Sequence, residues 1–153
     1  MKAIAYNIKP FEKEFLAIAN HKKHEITLIS NNLTPDTAIF AEGKTAAIIT
    51  VDDEVSADVM EKLAIAGIKY IVTRSSETCH INKEAAAQFG IKLANIPSVP
   101  QQHIQSNDDK LQEIADQTIR CLDLWQLNKC VGKACVCAKG CRAVVEDEIE
   151  ETV

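Results

Sequence analysis

The sequence predicts an α/β fold: an open, mainly parallel sheet with flanking helices, flavodoxin-like in arrangement. From Met1 to about Asn107, short β-branched apolar runs alternate with longer amphipathic stretches, which is the pattern of β-α-β units. Two of these stretches are followed by a glycine, where a left-handed residue would end a helix. One long amphipathic segment comes later, before a cysteine-rich and acidic end.

Five strands are predicted, each from a short run that is mainly apolar. They are Ala3–Tyr6, Glu25–Ile29, Ala46–Ile49, Tyr70–Thr73 and Lys92–Ala94. Three helices are predicted between the strands, because apolar residues recur there three and four positions apart. They are Pro10–Ala19, Ala57–Ala66 and Lys83–Phe89. Ser56 and Asn82 are predicted to cap the starts of the last two helices, and Gly67 and Gly90 to follow their ends.

The alternation of predicted strands and helices is interrupted at Pro97 and Pro100. A fourth helix is predicted over Asp109–Leu127, with one face that is mostly apolar. That face carries Leu111, Ile114, Thr118, Cys121, Leu122 and Trp125. We therefore expect residues 1–127 to form one domain, and residues 128–153 to form a tail that only a bound metal would order.

Composition excludes several classes of function. The net charge of −5 and the absence of a dense Lys/Arg cluster argue against a nucleic-acid partner. No segment approaches the run of about 18 apolar residues that a membrane span requires. The apolar run at the start of the chain is too short to be the apolar core of a signal peptide. We expect a cytoplasmic protein, in which the six cysteines are thiols or metal ligands rather than disulfides.

Four cysteines lie within twelve residues of the tail: Cys130, Cys135, Cys137 and Cys141. Interleaved Lys and Arg residues favour the thiolate form, which binds metal. Four thiolates suit a zinc ion or an iron–sulfur cluster, and sulfur also suits monovalent copper. The spacing matches neither zinc ribbons nor ferredoxins, so two alternatives stay open: a flexible tail of reduced thiols, or a redox-labile pair such as Cys135 with Cys137. Cys121 is interpreted as an apolar filler on a helix face.

Other polar groups have simpler interpretations. His21 and His24 are interpreted as parts of a solvated turn, and Asp52–Glu54 as a solvated loop. Cys79 beside His80 could form a nucleophilic pair. Since no third group is identified, we interpret Cys79 as a loop thiol.

Two segments of the sequence carry a resemblance to a known family. Residues 71–86 read IVTRSSETCHINKEAA, and residues 90–97 read GIKLANIP. They resemble the substrate domain of the D-2-hydroxyacid dehydrogenases, in particular the D-lactate dehydrogenases, with its Thr-Arg-Ser-x-Gly loop and Gly-(Leu/Ile)-x-Val-x-Asn-Val-Pro strand. The opening residues 1–6 and the segment 49–63 fit the same family, and the resemblance reaches to about residue 128.

The resemblance implies a substrate crevice, and it also shows where this chain departs from the family. The equivalent loop residues are Ser75, Ser76, Glu77, Thr78 and Cys79. Glu77 replaces the glycine of a loop whose amides hold the substrate carboxylate in the family. Val99 stands where many D-lactate dehydrogenases have a tyrosine facing the substrate. We expect both changes to weaken binding of a small 2-oxo or 2-hydroxy acid.

The family's cofactor-binding and catalytic groups have no counterpart in these 153 residues. The dinucleotide loop needs three spaced glycines, and none of the five glycines stands in that spacing. In the helix that crosses toward the family's cofactor domain, Asp116 and Gln117 replace a glutamate and a histidine. The family's arginine, glutamate and histidine that act on the substrate carbonyl come after the cofactor loop. We therefore assign no catalytic residue, and expect that this chain alone neither binds NAD nor acts as a dehydrogenase.

Two functional hypotheses follow. The first is a stand-alone, degenerate substrate domain acting as a non-catalytic binding or interaction module, with a metal- or redox-responsive cysteine tail. The second is a component of an NAD-dependent D-2-hydroxyacid oxidoreductase whose cofactor domain is on another chain, or an iron–sulfur electron-transfer subunit. The expected partners are another protein or a second copy of the chain, and a small 2-oxo or 2-hydroxy acid.

Overall fold

A computed structural model of the chain describes residues 1–96 and 106–136, and its centre is a five-stranded parallel sheet. The strands are β1 (Lys2–Ala5), β2 (Glu25–Leu28), β3 (Ala46–Ile49), β4 (Tyr70–Thr73) and β5 (Lys92–Ala94). Their spatial order is β2-β1-β3-β4-β5, so the strand order reverses between β1 and β3. The predicted fold class is confirmed.

Four α-helices surround the sheet in the described part of the chain: α1 (Pro10–Asn20), α2 (Ala57–Ala66), α3 (Lys83–Gln88) and α4 (Asn107–Gln126). Short 3-10 turns occupy Ala38–Ala41 and Gly132–Ala134. The predicted caps are present, since Ser56 accepts from the Val59 amide and Asn82 from the Ala85 amide. The helix α4 begins two residues earlier than predicted, because Ser106 caps it by accepting from the Asp109 amide at 3.2 Å.

The helices divide into two layers, each closing one face of the sheet. The helices α2 and α3 bury Met60, Leu63 and Ala86 against one face, while α1 and α4 pack together over the other. Trp125 of α4 is buried there and stacks on Tyr70 of β4, with ring centroids 4.8 Å apart. No helix in the described ranges is long and apolar enough to cross a membrane.

Residues 131–136, here called the edge strap, lie along the outer edge of β5. The Val136 amide donates to the Leu93 carbonyl at 3.0 Å, and the Asn95 amide donates to the Ala134 carbonyl at 2.9 Å. Cys135 is buried in the α1/α4 layer and faces the β5 strand in an antiparallel bridge. The first part of the predicted tail is therefore packed against the sheet.

The interpretation of His24 as part of a solvated turn is wrong, because its side chain is buried under α4. Its Nε2 atom lies 2.7 Å from Asp123 Oδ1, and Lys23 donates to the other oxygen of the same carboxylate at 2.7 Å. Burial acts to raise the pKa of Asp123, but these hydrogen bonds outweigh it and hold the pKa below its usual range. His21 is exposed at the end of α1, as expected.

Candidate functional site

Polar side chains gather at the carboxyl edge of the sheet, where the turns after β1, β3 and β4 meet. Arg74, directly after β4, donates to the carbonyls of Tyr6 at 2.8 Å and Asn7 at 3.3 Å, both at the end of β1. Its Nε donates to the Ile49 carbonyl at 3.4 Å, and its guanidinium pairs with Glu12 of α1. Arg74 thus fills the crevice between β1 and β3, and a ligand at this edge has to bind beside it.

The interpretation of Asp53 as a residue of a solvated loop is wrong, because Asp53 is buried beneath the turn after β3. Its two carboxylate oxygens accept the amides of Leu33 at 2.9 Å and Thr50 at 3.0 Å. Burial raises the pKa of Asp53, although the two amides and the Arg74 charge act in the opposite direction. Asp53 therefore holds two loops of the carboxyl edge in place, and its neighbour Asp52 is exposed as predicted.

The buried Asp53 carboxyl predicts a dependence of stability on pH. Because its pKa is raised on folding, the folded protein binds this proton more tightly than the unfolded chain. Its contribution to the free energy of unfolding should fall as pH rises from the ordinary carboxyl pKa of about 4 toward the raised value, and then level off. Urea unfolding over a pH series should show this slope in the wild type and lose it in Asp53→Asn. A slope retained in Asp53→Asn but lost in the control Asp52→Asn would contradict the assignment.

The turn after β4 contains residues 75–80, here called the amide loop, and two of its carbonyls accept hydrogen bonds from the two residues that follow β5. The Ser75 carbonyl accepts from the Ile96 amide at 3.0 Å, and the Ser76 carbonyl accepts from the Asn95 side chain at 2.9 Å. Within the described part of the chain, none of the six amides of this loop donates a hydrogen bond. A row of such amides can bind an anion.

A chain of polar side chains lies under the amide loop. Thr73 Oγ1 lies 3.0 Å from Ser75 Oγ and 3.2 Å from Nε2 of His80. Burial chiefly lowers the pKa of His80, which favours the neutral imidazole. The buried Nδ1 atom of His80 has no hydrogen-bond partner among the described residues. Glu77 is exposed, and its φ angle is not in the left-handed region, so the backbone accepts this glutamate without strain.

The structure brings some predicted site residues together and leaves others untested. Residues 75–79 form one loop at the carboxyl edge, while Val99 lies outside the described residues. The pKa of Cys121 is raised to about 12 by burial, which confirms its interpretation as an apolar filler. Sequence reasoning gave Arg74 no role, although its place directly after a buried strand was a usable signal.

The proposed metal ligands are divided between described and undescribed parts of the chain. Cys130 is exposed and Cys135 is buried in the edge strap, while Cys137 and Cys141 lie outside the described residues. Over residues 1–96 and 106–136, no group of three or more His, Cys, Asp or Glu side chains is arranged to hold a metal ion. The four-cysteine metal site stays a prediction.

The described residues do not fit a dinucleotide. Such a cofactor needs a glycine-rich turn between a strand and the start of a helix, so that the backbone can approach the pyrophosphate. The turns after β1, β3 and β4 contain no glycine. Gly67 and Gly90 instead have positive φ angles where α2 and α3 end, which is the capping role predicted for them.

The fold and the carboxyl-edge loop define a class of protein. The family described as "D-isomer specific 2-hydroxyacid dehydrogenase, catalytic domain" matches residues 3–121. That match spans well over half of the chain, and the chain belongs to this family. The resemblance inferred from residues 71–97 is confirmed.

Particular relatives share the same region. An aromatic 2-oxoacid reductase of Clostridium sporogenes is 33% identical over 99 residues, which are 64% of this chain and 30% of that protein. D-lactate dehydrogenase of Escherichia coli is 32% identical over 99 residues, with the same shares. The apo structure of a D-lactate dehydrogenase from Escherichia coli superposes with a TM-score of 0.65 at 30% identity, over 68% of this chain and 33% of that one. This chain thus matches about a third of the length of these relatives.

Proposed function

We propose that this domain binds a small 2-oxo or 2-hydroxy acid at the carboxyl edge of the sheet and performs no redox chemistry by itself. The observation that carries the proposal is the amide loop, whose six amides have no hydrogen-bond partner among the described residues. A carboxylate can accept from several such amides at once. The names of the relatives, a 2-oxoacid reductase and a D-lactate dehydrogenase, support this class of ligand.

The surroundings of the amide loop limit its affinity for an anion. Arg74 is directly adjacent, but its charge is compensated by Glu12 and its donors are used by backbone carbonyls. Lys83 donates to the Thr78 carbonyl at 3.0 Å. Glu77 adds a negative charge within the loop itself, where it repels a bound carboxylate. The proposed module is therefore a weak binder of 2-oxo acids.

Hydride transfer would require a nicotinamide-binding domain that the described residues do not supply. We propose that this domain acts as a binding module, and that any dehydrogenase activity depends on a cofactor domain outside this sequence. The absence of glycine from the described turns at the carboxyl edge favours a separate cofactor-binding domain. Saturable enhancement of NADH fluorescence by the purified 153-residue chain would contradict it.

Replacing Glu77 by glycine should tighten binding of pyruvate about fivefold, because it removes a like charge at a solvent-exposed position where the expected energy is about 1 kcal/mol. Isothermal calorimetry with pyruvate measures the change. Glu77→Gln should give a similar gain if charge is the cause, whereas Glu42→Gln, which removes an exposed charge from a different loop, should not. Equal or undetectable binding in all four proteins would contradict the proposed site.

We propose that the cysteine-rich tail makes the module responsive to metal or to redox state. The support is the sequence cluster of four cysteines, together with the burial of one member, Cys135, beside β5. Metal analysis of protein purified without oxygen separates the two versions. A bound zinc ion or iron–sulfur cluster favours the metal version, and a metal-free protein with reactive thiols favours the redox version.

A further inference from the structure

Lysines lie where the strands of the sheet begin. All five strands are parallel, so they start at one edge of the sheet, here called the amino edge. Every strand has a lysine at its first residue or within the two residues before it. These lysines are Lys2, Lys23, Lys44, Lys69 and Lys92. The parallel topology therefore brings five cations, which are far apart along the chain, to the same edge.

The lysines of the amino edge differ in their ion pairs. Lys2 lies 3.9 Å from Glu25, and Lys23 pairs with Asp123 at 2.7 Å. The other three, here called the lysine row, are Lys44, Lys69 and Lys92. Within residues 1–96 and 106–136 the lysine row makes no ion pair. Its members belong to the neighbouring strands β3, β4 and β5, so they lie side by side over about 10 Å.

Helix ends do not explain the lysine row. Cations are common in the last turn of a helix, where they offset the partial negative charge of the free carbonyls. None of the four described α-helices has a basic residue in its last turn. The lysines follow the starts of the strands instead. The simplest remaining alternative to a bound anion is that water alone solvates them.

The edge strap runs toward the lysine row. As the strap advances from Ala134 to Val136, its hydrogen-bond partners go back from Asn95 to Leu93. The next residue of β5 in that direction is Lys92, the first residue of the strand. Val136 is the last residue that the structure describes. The chain is thus directed at the amino edge, on the side of the sheet where the unpaired lysines lie.

The sequence beyond Val136 contains a strongly acidic segment. Residues 146–151, here called the acidic run, read EDEIEE and hold five of the 22 Asp and Glu side chains. Because the whole chain has a net charge of −5, all other residues together are neutral. Residues 137–145 can span at most about 30 Å when extended, whereas β5 and β3 are only about 10 Å apart. Every lysine of the row is therefore within reach of the acidic run.

We propose that the acidic run docks on the lysine row of the same chain. Its carboxylates pair with the ammonium groups that no described carboxylate occupies. Single exposed ion pairs are weak, so docking depends on several pairs at once and on the high local concentration that a short connection provides. The contact neutralises the amino edge and keeps acidic segments of other molecules away from it. It does not depend on the proposed function, because the amide loop lies at the opposite edge of the sheet.

Carbodiimide cross-linking of the 153-residue chain tests the docking, since this reagent joins a carboxylate to a lysine only where the two are in contact. The control is Lys13, an exposed lysine of α1 near the carboxyl edge. At low salt, peptide mass spectrometry should show the acidic run linked to Lys69 and Lys92 at least about fivefold more often than to Lys13. At about 1 M salt, where charges are screened within about 3 Å, the difference should disappear. Equal linking to all three lysines at low salt would mean that water solvates the row, and would overturn the proposal.

The isotope composition of the links shows whether one chain or two are joined. Equal amounts of isotope-labelled and unlabelled chains are mixed before the reagent is added. Docking within one chain gives links whose two peptides carry the same label. Links with mixed labels, in the proportion of random pairing, would show that the acidic run of a second copy occupies the row, which contradicts the proposal.

A variant without the charges of the acidic run tests the contact without a reagent. Its substitutions are Glu146→Gln, Asp147→Asn, Glu148→Gln, Glu150→Gln and Glu151→Gln. At low salt, the NMR signals of the Lys69 and Lys92 amides should differ between this variant and the wild type, while the Ser76 amide at the carboxyl edge should not change. The differences should vanish at about 1 M salt. Unchanged signals at Lys69 and Lys92 at low salt would count against docking.

Substitutions in the lysine row test whether it binds as a unit. In the double variant Lys69→Gln and Lys92→Gln, the remaining Lys44 should be linked to the acidic run about threefold less often, because docking rests on several pairs. The matched variant Lys13→Gln removes one exposed charge elsewhere and should leave the links to Lys44 unchanged. If the double variant links Lys44 as often as the wild type does, the three lysines do not form one docking surface and the proposal is wrong.

Discussion

Replacing Arg74 by alanine is expected to lower the free energy of unfolding by about 3 kcal/mol, the scale seen when one partner of a buried ion pair is removed. The Arg74 side chain is 6% exposed, and it donates to carbonyls at the ends of both β1 and β3. Alanine removes the side-chain donor from the Tyr6 carbonyl and the cation from Glu12, whereas the Ile49 carbonyl keeps the Arg74 backbone amide as a donor. Urea unfolding followed by circular dichroism measures the loss.

Two further variants separate the charge of Arg74 from its geometry. Arg74→Lys keeps the charge but cannot reach several carbonyls at once, so it should lose most of the stability lost by alanine. Glu12→Gln keeps an acceptor for the guanidinium and should cost less, because the Glu12 side chain is 23% exposed. A loss below about 1 kcal/mol in the alanine variant would mean that water replaces the guanidinium, as for an ordinary surface ion pair.

Replacing Trp125 by alanine is expected to lower the free energy of unfolding by about 4 kcal/mol, in the range measured for large aromatic side chains removed from cores. Trp125 is 3% exposed and stacks on Tyr70, so it joins α4 to the sheet at β4. The truncation leaves a cavity where the Trp125 ring packs against Tyr70. Because it is the sole tryptophan, unfolding has to be followed by circular dichroism rather than fluorescence.

The matched controls lie on the same helix and just beyond it. Trp125→Phe keeps a ring over Tyr70 and should lose less than half as much stability. Leu127→Ala removes a 63% exposed side chain two residues away and should change stability by less than about 0.5 kcal/mol. If the tryptophan and leucine variants lose similar amounts, α4 is not anchored through its stacked ring.

The sheet and most helix boundaries could be predicted because local signals determine them. The strand β3 is an uninterrupted apolar run, and α2 lies between the capping side chain of Ser56 and the left-handed Gly67. The carboxyl-edge loop was found through its Arg74-Ser75 sequence, which the family shares. These features need only neighbours within a few positions along the chain.

The sequence-based interpretations that were wrong concern residues whose environment is set by partners far away along the chain. The sequence around Asp53 indicates a loop carboxylate. In the fold this carboxylate is buried, and it accepts a hydrogen bond from the amide of Leu33, 20 residues away. The sequence around His24 indicates a residue of a solvated turn. In the fold its side chain is buried and pairs with Asp123, 99 residues away. The edge strap has no sequence periodicity because it joins the sheet through a single bridge at Cys135. Charge and polarity along the chain do not reveal such partners.

The covered outer edge of β5 has a consequence for how this domain meets strands of other molecules. An uncovered edge strand offers unpaired backbone groups to any other strand, and two such edges can join into an extended sheet. Ending the chain after α4, where the helix stops, would uncover the Leu93 carbonyl and the Asn95 amide. The shortest fragment in which this edge of the sheet stays covered therefore ends after Val136.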